Sequence, residues 1–221
     1  MTTTRRMGLI GGTFDPVPYG HLDAADAARL ALGLDEVTFV PSHVPPHRPA
    51  QPRASVFHRF ALLALALAGR SGYRASDMEL ERQGPSFTVD TLRALHRRGW
   101  SPAQLFFIIG ADAFAEIATW HEYPDVLDAS QFVVMARPGS HLDSSQWAPE
   151  LRHRIRQTGA AGEHDERVAI HVVDARTRDI SSSQVRARIA GGETIADLVP
   201  AAVADYIAAH HLYERVDELH G

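Results

Sequence analysis

Along the first half of this chain, short apolar runs alternate with stretches of helical spacing. Met7 to Ile10 is a compact apolar run that ends at Gly11-Gly12, the pattern of a strand entering a turn. From Gly20 to Gly33 the spacing becomes helical. Leu22, Ala25, Ala28 and Leu32 recur on one face, Asp23, Asp26 and Arg29 form a wetted stripe, and Gly33 suits a C-cap. Val37 to Val40 predicts a buried strand closed by Pro41, and residues 41 to 53 a proline-rich loop carrying His43, His47 and Arg48. Helix returns over Ser55 to Ala68. Val89, Leu92 and Leu95 share one face of a further helix, with Asp90, Arg93 and Arg97 pointing outward. Leu105 to Ile109 is continuously apolar, as an interior parallel strand is, and Phe132 to Met135 repeats the pattern. Residues 139 to 166 are polar and weakly patterned, consistent with a helix and flanking loops. Val168 to Val173 predicts a last strand. Two helices follow, Ser182 to Ala190 and Pro200 to His210, with Pro200 at the first helical position and Val203, Tyr206, Ile207 and His210 on one face.

Strands alternating with helices, the strands continuously apolar, predict an α/β fold built on a doubly wound, mostly parallel sheet. With 221 residues and no internal repeat, the chain reads as a single domain over 1–221, the part from about 181 to 221 being a small helical addition. Ligands of such sheets bind outside the carboxyl ends of the strands. Gly11-Gly12, Pro41, Gly110 and Arg137 each follow a strand run and should therefore gather on one rim.

Composition narrows the function. Hydrophobic residues make up 45% and charged residues 22%, enough for a full core. A net charge of -5 argues against a nucleic-acid partner, which usually selects a basic surface. The absence of cysteine excludes disulfides, thiolate nucleophiles and cysteine-ligated zinc. The first seven residues hold two arginines and no apolar signal core, and the longest apolar run, Phe60 to Ala68, is too short to span a bilayer. A cytoplasmic protein without a membrane partner is expected, and a homo-oligomer stays open. His96, His141, His153, His164, His171, His210, His211 and His220 share no metal-ligand spacing and read as surface or packing residues.

The densest chemical signal is the run Gly11-Gly12-Thr13-Phe14-Asp15-Pro16-Val17-Pro18-Tyr19-Gly20-His21. A strand, a glycine turn and a helix start present backbone N–H groups to phosphate. Gly20 would let a ligand approach closely, and His21, in the first helical turn, would add a donor. The other reading is a glycine turn followed by a surface histidine.

This run resembles the nucleotide-binding signature of adenylyltransferases related to class I aminoacyl-tRNA synthetases, Gly-Gly-Thr/Ser-Phe-Asp-Pro-x-His/Thr-x-Gly-His. Further segments are similar to those of the bacterial nicotinate-mononucleotide adenylyltransferases: Pro45-Pro46-His47-Arg48, Ser86-Phe87-Thr88-Val89-Asp90-Thr91, Gly110-Ala111-Asp112 followed by Trp120, and Ile180-Ser181-Ser182-Ser183-Gln184-Val185-Arg186. The end of the chain, from Val199-Pro200 through Tyr206-Ile207 to His211-Leu212-Tyr213, is similar too. The likeness spans nearly the whole chain in order.

The resemblance implies a Rossmann-like nucleotidyltransferase fold and an in-line attack by nicotinate mononucleotide on the α-phosphorus of ATP. No enzyme nucleophile is needed, and catalysis lies in positioning and charge stabilisation. By matched position, His21 and Arg186 are the catalytic donors. Gly11, Gly12, Thr13, Phe14, Gly20, Gly110, Asp112, Ser182 and Ser183 bind ATP, the C-terminal helical part completing that site. His47, Arg48, Thr88, Trp120 and His121 bind the mononucleotide, with Trp120 stacking on the pyridine ring. Mg²⁺ is implied as cofactor, held by ATP phosphates and water, with no ligand from a protein side chain. The plainer readings are an N-cap for Ser181 to Ser183, a cap for Asp112, core packing for Trp120 and a solvated loop for His47 and Arg48.

Two positions depart from the pattern. Pro18 stands where the family has a first His or Thr, and proline brings neither a side-chain donor nor an N–H. Loss of one preorganised donor costs about 10²–10³ in rate. His121 stands where an aromatic Tyr commonly follows the Trp. Two other readings therefore remain: transfer to another acceptor, nicotinamide mononucleotide or phosphopantetheine, and a nucleotide-binding paralogue with weakened turnover.

Overall fold

The computed structural model describes residues 5–46, 52–136, 147–157, 168–174 and 177–215. Seven strands make one sheet in which every neighbouring pair is parallel. They are β1 (Met7–Gly12), β2 (Glu36–Pro41), β3 (Tyr73–Ala75), β4 (Leu105–Gly110), β5 (Gln131–Ala136), β6 (Ile155–Gln157) and β7 (Ile170–Asp174). Their spatial order is β3-β2-β1-β4-β5-β7-β6. From β1 the chain steps outward to β2 and β3, then returns to lay β4 on the other side of β1. That reversal is the topological switch point, and it opens a crevice at the carboxyl ends of β1 and β4. The expected doubly wound parallel sheet is the fold observed.

Among the described residues there are seven α-helices, α1 (Tyr19–Leu32), α2 (Val56–Leu67), α3 (Thr88–Arg97), α4 (Ala111–Ala115), α5 (Pro149–Arg152), α6 (Ser182–Ala190) and α7 (Ala201–Ala209), the last two following β7. Successive strand residues point to opposite faces, so the continuous apolar runs feed two cores. Ile10, Phe106, Ile108, Val133 and Met135 pack with Leu22 and Ala25 of α1, Leu62 and Leu63 of α2, Val185 of α6 and Val203 of α7. Leu9, Leu105, Phe107, Ile109, Phe132 and Val134 face the other way, onto Val89, Leu92 and Leu95 of α3 and onto Phe114.

Local chemistry sets the helix ends. Gly33 caps α1 in the left-handed region at φ 59°, as its sequence position predicted. Ser55 accepts from the His58 N–H at the start of α2. Ser181 and Gln184 form a capping box that opens α6 at the expected residue. Pro200 differs from expectation: it is the cap before α7, which begins at Ala201. Strands β3 and β6, three residues each, had no readable pattern. Among the histidines, His171 is set against Phe106 with its Nε2 3.2 Å from Gln131 Oε1, and burial lowers its pKa to about 4. No described helix is long and apolar enough to cross a membrane.

Candidate active site

The segment between β1 and α1 is held rigidly from below. Phe14 takes a left-handed backbone at φ 50° and turns its ring into the core, against Phe39 and edge-on to His21. With a side chain 1% exposed, Phe14 packs behind His21, and the residue also lines the cavity. Asp15 is also buried. Its carboxylate accepts from the Arg53 N–H at 2.8 Å, the Ala54 N–H at 3.1 Å and the Tyr213 hydroxyl at 2.9 Å. Burial and the facing carboxylate hold the Tyr213 phenol protonated, far above its ordinary range. Arg59 lies fully buried alongside, donating to the Thr13 carbonyl at 2.7 Å and the His43 carbonyl at 3.4 Å. Burial pulls its pKa down and the Asp15 charge opposes that pull.

Residues 177–183 lie across the start of α1 as a strap. The Arg178 guanidinium grips Asp23 through two side-chain hydrogen bonds, at 2.8 and 2.7 Å, and sits 3.9 Å above the Tyr19 ring. Arg178 holds the Asp23 carboxyl below its usual range. Gly20 is where the strap touches: a Cβ there would stand 2.7 Å from the Ile180 carbonyl oxygen and 2.8 Å from that of Arg178. Gly20 makes room for the backbone of the strap and also lines the crevice. The Ser182 hydroxyl donates to the Pro16 carbonyl at 2.8 Å. Arg186 donates to the Asp15 carbonyl at 2.6 Å and to Ser183 Oγ at 3.1 Å. Arg186 thus braces the loop beneath Ser182 and Ser183, and it is not part of the cavity wall.

One cavity of about 550 Å³ joins these elements to the opposite wall, a size ordinary for a small-molecule site. Gly11, Gly12, Thr13, His21, Ser182 and Ser183 line one side. Across from them, Thr88 opens α3, and Gly110 and Asp112 stand at the junction of β4 and α4. A Cβ on Gly110 would meet nothing within 4 Å, so the space before it is open. Trp120 is half-buried with its ring edge-on to Phe107 at 5.9 Å, and it lines the cavity. The His121 ring stacks on Phe87 at 4.2 Å.

The fold therefore brings the expected residues 11–14, 20, 21, 88, 110, 112, 120, 121, 182 and 183 to one cavity. His47 and Arg48 lie outside the described residues, as does Arg137 of the expected rim. Sequence reasoning missed Arg59, Glu79, Ser42 and the strap residues 177–180. Glu79 is buried in the wall, where burial raises its pKa against the opposing donors Thr91 and Ser86. A charged residue inside a helical or loop pattern reads as solvated, so only an unexpectedly apolar neighbourhood, such as that of Arg59 in Phe57 to Leu67, could have signalled burial. Among the described residues no three His, Asp or Glu side chains gather where a metal ion could sit.

A switch-point crevice lined by glycine backbone and hydroxyls is the site of a nucleotide-transferring enzyme, and a family model described as cytidylyltransferase-like matches residues 9–188. Curated relatives are more specific. A protein of Trichlorobacter lovleyi named "Probable nicotinate-nucleotide adenylyltransferase" is 39% identical over 95% of this chain and 99% of its own length. One of the same name from Moorella thermoacetica is 37% identical over 98% of this chain and 96% of its own length. The chain belongs to the family of nicotinate-nucleotide adenylyltransferases. Its fold matches that of the Plasmodium falciparum nicotinic acid mononucleotide adenylyltransferase complexed with NaAD, with a TM-score of 0.71 at 18% identity over 95% of this chain and 98% of that one.

Proposed function

We propose that this protein transfers the adenylyl group of ATP to nicotinate mononucleotide, giving nicotinic acid adenine dinucleotide and pyrophosphate, a step of NAD biosynthesis. The observation that carries the reading is the single cavity shared by the phosphate-binding loop, the strap and the Thr88–Trp120 wall. An oxygen of the mononucleotide phosphate attacks the α-phosphorus. The bond to the bridging oxygen breaks, and pyrophosphate leaves with the electron pair. The Gly11–Thr13 backbone, His21, Ser182 and Ser183 cradle the phosphates, and Asp112 orients the nucleotide. Thr88 and the backbone at His121 receive the pyridine carboxylate beside Trp120. In this reading Arg186 acts by holding the loop and Ser183, and His47 and Arg48 close over the acceptor phosphate. The chain works as one domain whose C-terminal helices complete the ATP half, in a cytoplasmic setting.

Among the described residues the phosphate side of the cavity offers N–H and hydroxyl donors and no group of three carboxylates or histidines. That donor set fits Mg²⁺ arriving on the triphosphate, ligated by phosphate oxygens and water. When bound it neutralises charge on the leaving pyrophosphate.

Pyrophosphate release from ATP and Mg²⁺ with nicotinate mononucleotide, nicotinamide mononucleotide or phosphopantetheine, each at the same concentration, tests the reading. Turnover is expected with the first and far less with the amide. Folded protein that releases none above blank refutes it. ATP binding without turnover would instead favour the weakened paralogue, whose support is Pro18.

Pro18 itself is buried, caps α1 at φ -92° and ψ 168°, and is not part of the cavity wall. Any L residue adopts that backbone, but an imidazole left in the buried position would be short of partners, so Pro18→His should lower Tm unless the ring turns out past the cap into the crevice. In that arrangement it adds a donor two residues before Gly20, and kcat should rise by about tenfold given the worth of such donors. A kcat no higher than wild type would mean that the ring stays buried or that another group already serves.

A further inference from the structure

Beside the Thr88 wall, a ring of hydrogen bonds closes around one carboxylate. The Thr91 hydroxyl donates to Glu79 Oε1 at 2.5 Å, and an Arg82 Nη donates to the Thr91 oxygen at 2.6 Å. Arg82 also stands 3.6 Å from Glu79 Oε1 as an ion pair, the Ser86 side chain favours the Glu79 charge, and Ser86 Oγ accepts from the His43 N–H at 2.9 Å. His43 Nδ1 stands 2.8 Å from the Arg82 carbonyl. A carbonyl only accepts, so this nitrogen carries the proton. The Ser86 N–H donates to the Val44 carbonyl at 2.9 Å, and Val44 bridges Pro85. Glu79, Ser86 and Thr91 are all buried.

The ring joins two loops, 42–46 and 82–88, that come from different parts of the chain. Both reach the cavity: Ser42 and Pro45 from the first, Ser86 and Thr88 from the end of the second. Ser42 Oγ is buried with no hydrogen-bond partner among the described residues, and Ser42 lines the cavity. An unsatisfied buried hydroxyl at a cavity wall is a group suited to a polar ligand. A buried carboxylate is costly unless donors surround it. Here the donors are the side chains that fix the two loops, so the charge ties loop placement to a single geometry.

We propose that Glu79 is a positioning residue for the acceptor, acting through Thr91 and Ser86 to hold loops 42–46 and 82–88 at the spacing the mononucleotide needs. The inference rests on the proposed reaction, in which Thr88 and Trp120 form the acceptor side. Loop 42–46 also meets the phosphate loop, through the Ser42 N–H on the Gly12 carbonyl at 2.9 Å and through Arg59, which donates to the Thr13 and His43 carbonyls. Glu79 and Thr91 hydrogen-bond on the acceptor side, so the larger effect of changing them falls on the mononucleotide.

Steady-state kinetics of the full chain, with each substrate varied in turn, read the effect, and calorimetric titration of nicotinate mononucleotide and ATP separately reads it without turnover. Glu79→Gln keeps size and removes charge. It should raise KM and Kd for the mononucleotide by about tenfold, the worth of a hydrogen bond to a charged group. KM for ATP and kcat should change by no more than about twofold, because the path from Glu79 to the phosphate loop runs only indirectly, through loop 42–46. Thr91→Val should move the acceptor constants the same way, and Thr91→Ser, which restores the hydroxyl, should bring them back. A parallel rise in both substrates' constants, a fall in kcat alone, or no change would overturn the proposal. If Glu79→Gln does not fold, the Thr91→Val and Thr91→Ser pair makes the same decision. A wild type inactive with nicotinate mononucleotide would fail the functional reading and take this one with it. A wild type that is active, with unchanged acceptor constants in the variants, fails the positioning claim alone.

Discussion

Replacing His21 with alanine should lower kcat by about 10²–10³-fold while leaving the melting temperature where it is. His21 sits in the first turn of α1, its ring braced edge-on by Phe14 and exposed to the cavity beside Gly12 and Ser182. A donor fixed before substrate arrives needs no reorganisation as charge shifts toward the leaving group, so its loss falls on the transition state. Pro18 supplies no side-chain donor nearby, so His21 is the histidine this loop brings to the cavity. Alanine suits a helix and leaves Phe14 packed on Phe39. Stopped assays over several decades of rate, paired with thermal unfolding, give the answer. A drop of less than about threefold would mean that the backbone donors of residues 11–13 do most of the stabilising.

The second large effect is on stability. Arg59→Leu should destabilise the fold by about 3 kcal/mol, because it removes the donor to the Thr13 carbonyl and leaves the buried Asp15 charge without its nearest compensating cation. For a domain of this size that is a fall in Tm of roughly 6–12 °C. Leucine fills most of the volume, so the loss reports charge and hydrogen bonding more than a cavity. Thermal unfolding of wild type, Arg59→Leu and Asp15→Asn/Arg59→Leu separates the two terms. If the Asp15 charge carries the cost, neutralising it restores part of the loss. A Tm within about 2 °C of wild type in the single variant would show that Arg59 is dispensable to the loop.

Much of the fold was legible because its strongest signals are local. Leu105–Gly110 is apolar at every position before its glycine, and Ser181 with Gln184 spells the start of α6. β3 and β6 escaped because three residues carry no period. The site was legible where backbone and small residues do the chemistry, at 11–13, 110 and 182–183. It was not legible where tertiary partners decide. That Phe14 also packs on Phe39 and His21, and that Gly20 also makes room for the backbone of Arg178 and Ile180, could be read only from the fold. Arg59 and Glu79 looked wet until Thr13, Thr91 and Ser86 were brought to them from elsewhere in the chain.

The Tyr213–Asp15 hydrogen bond spans 198 residues of sequence. Contacts of such separation cannot form until nearly the whole polypeptide has left the ribosome, and they slow the search for the native state. The amino-terminal motif, although made first, is completed last. A fragment ending before Tyr213 keeps every signature residue of the opening loop yet lacks the phenol that donates to Asp15, so that loop reaches this set of hydrogen bonds only once the segment after α7 is in place.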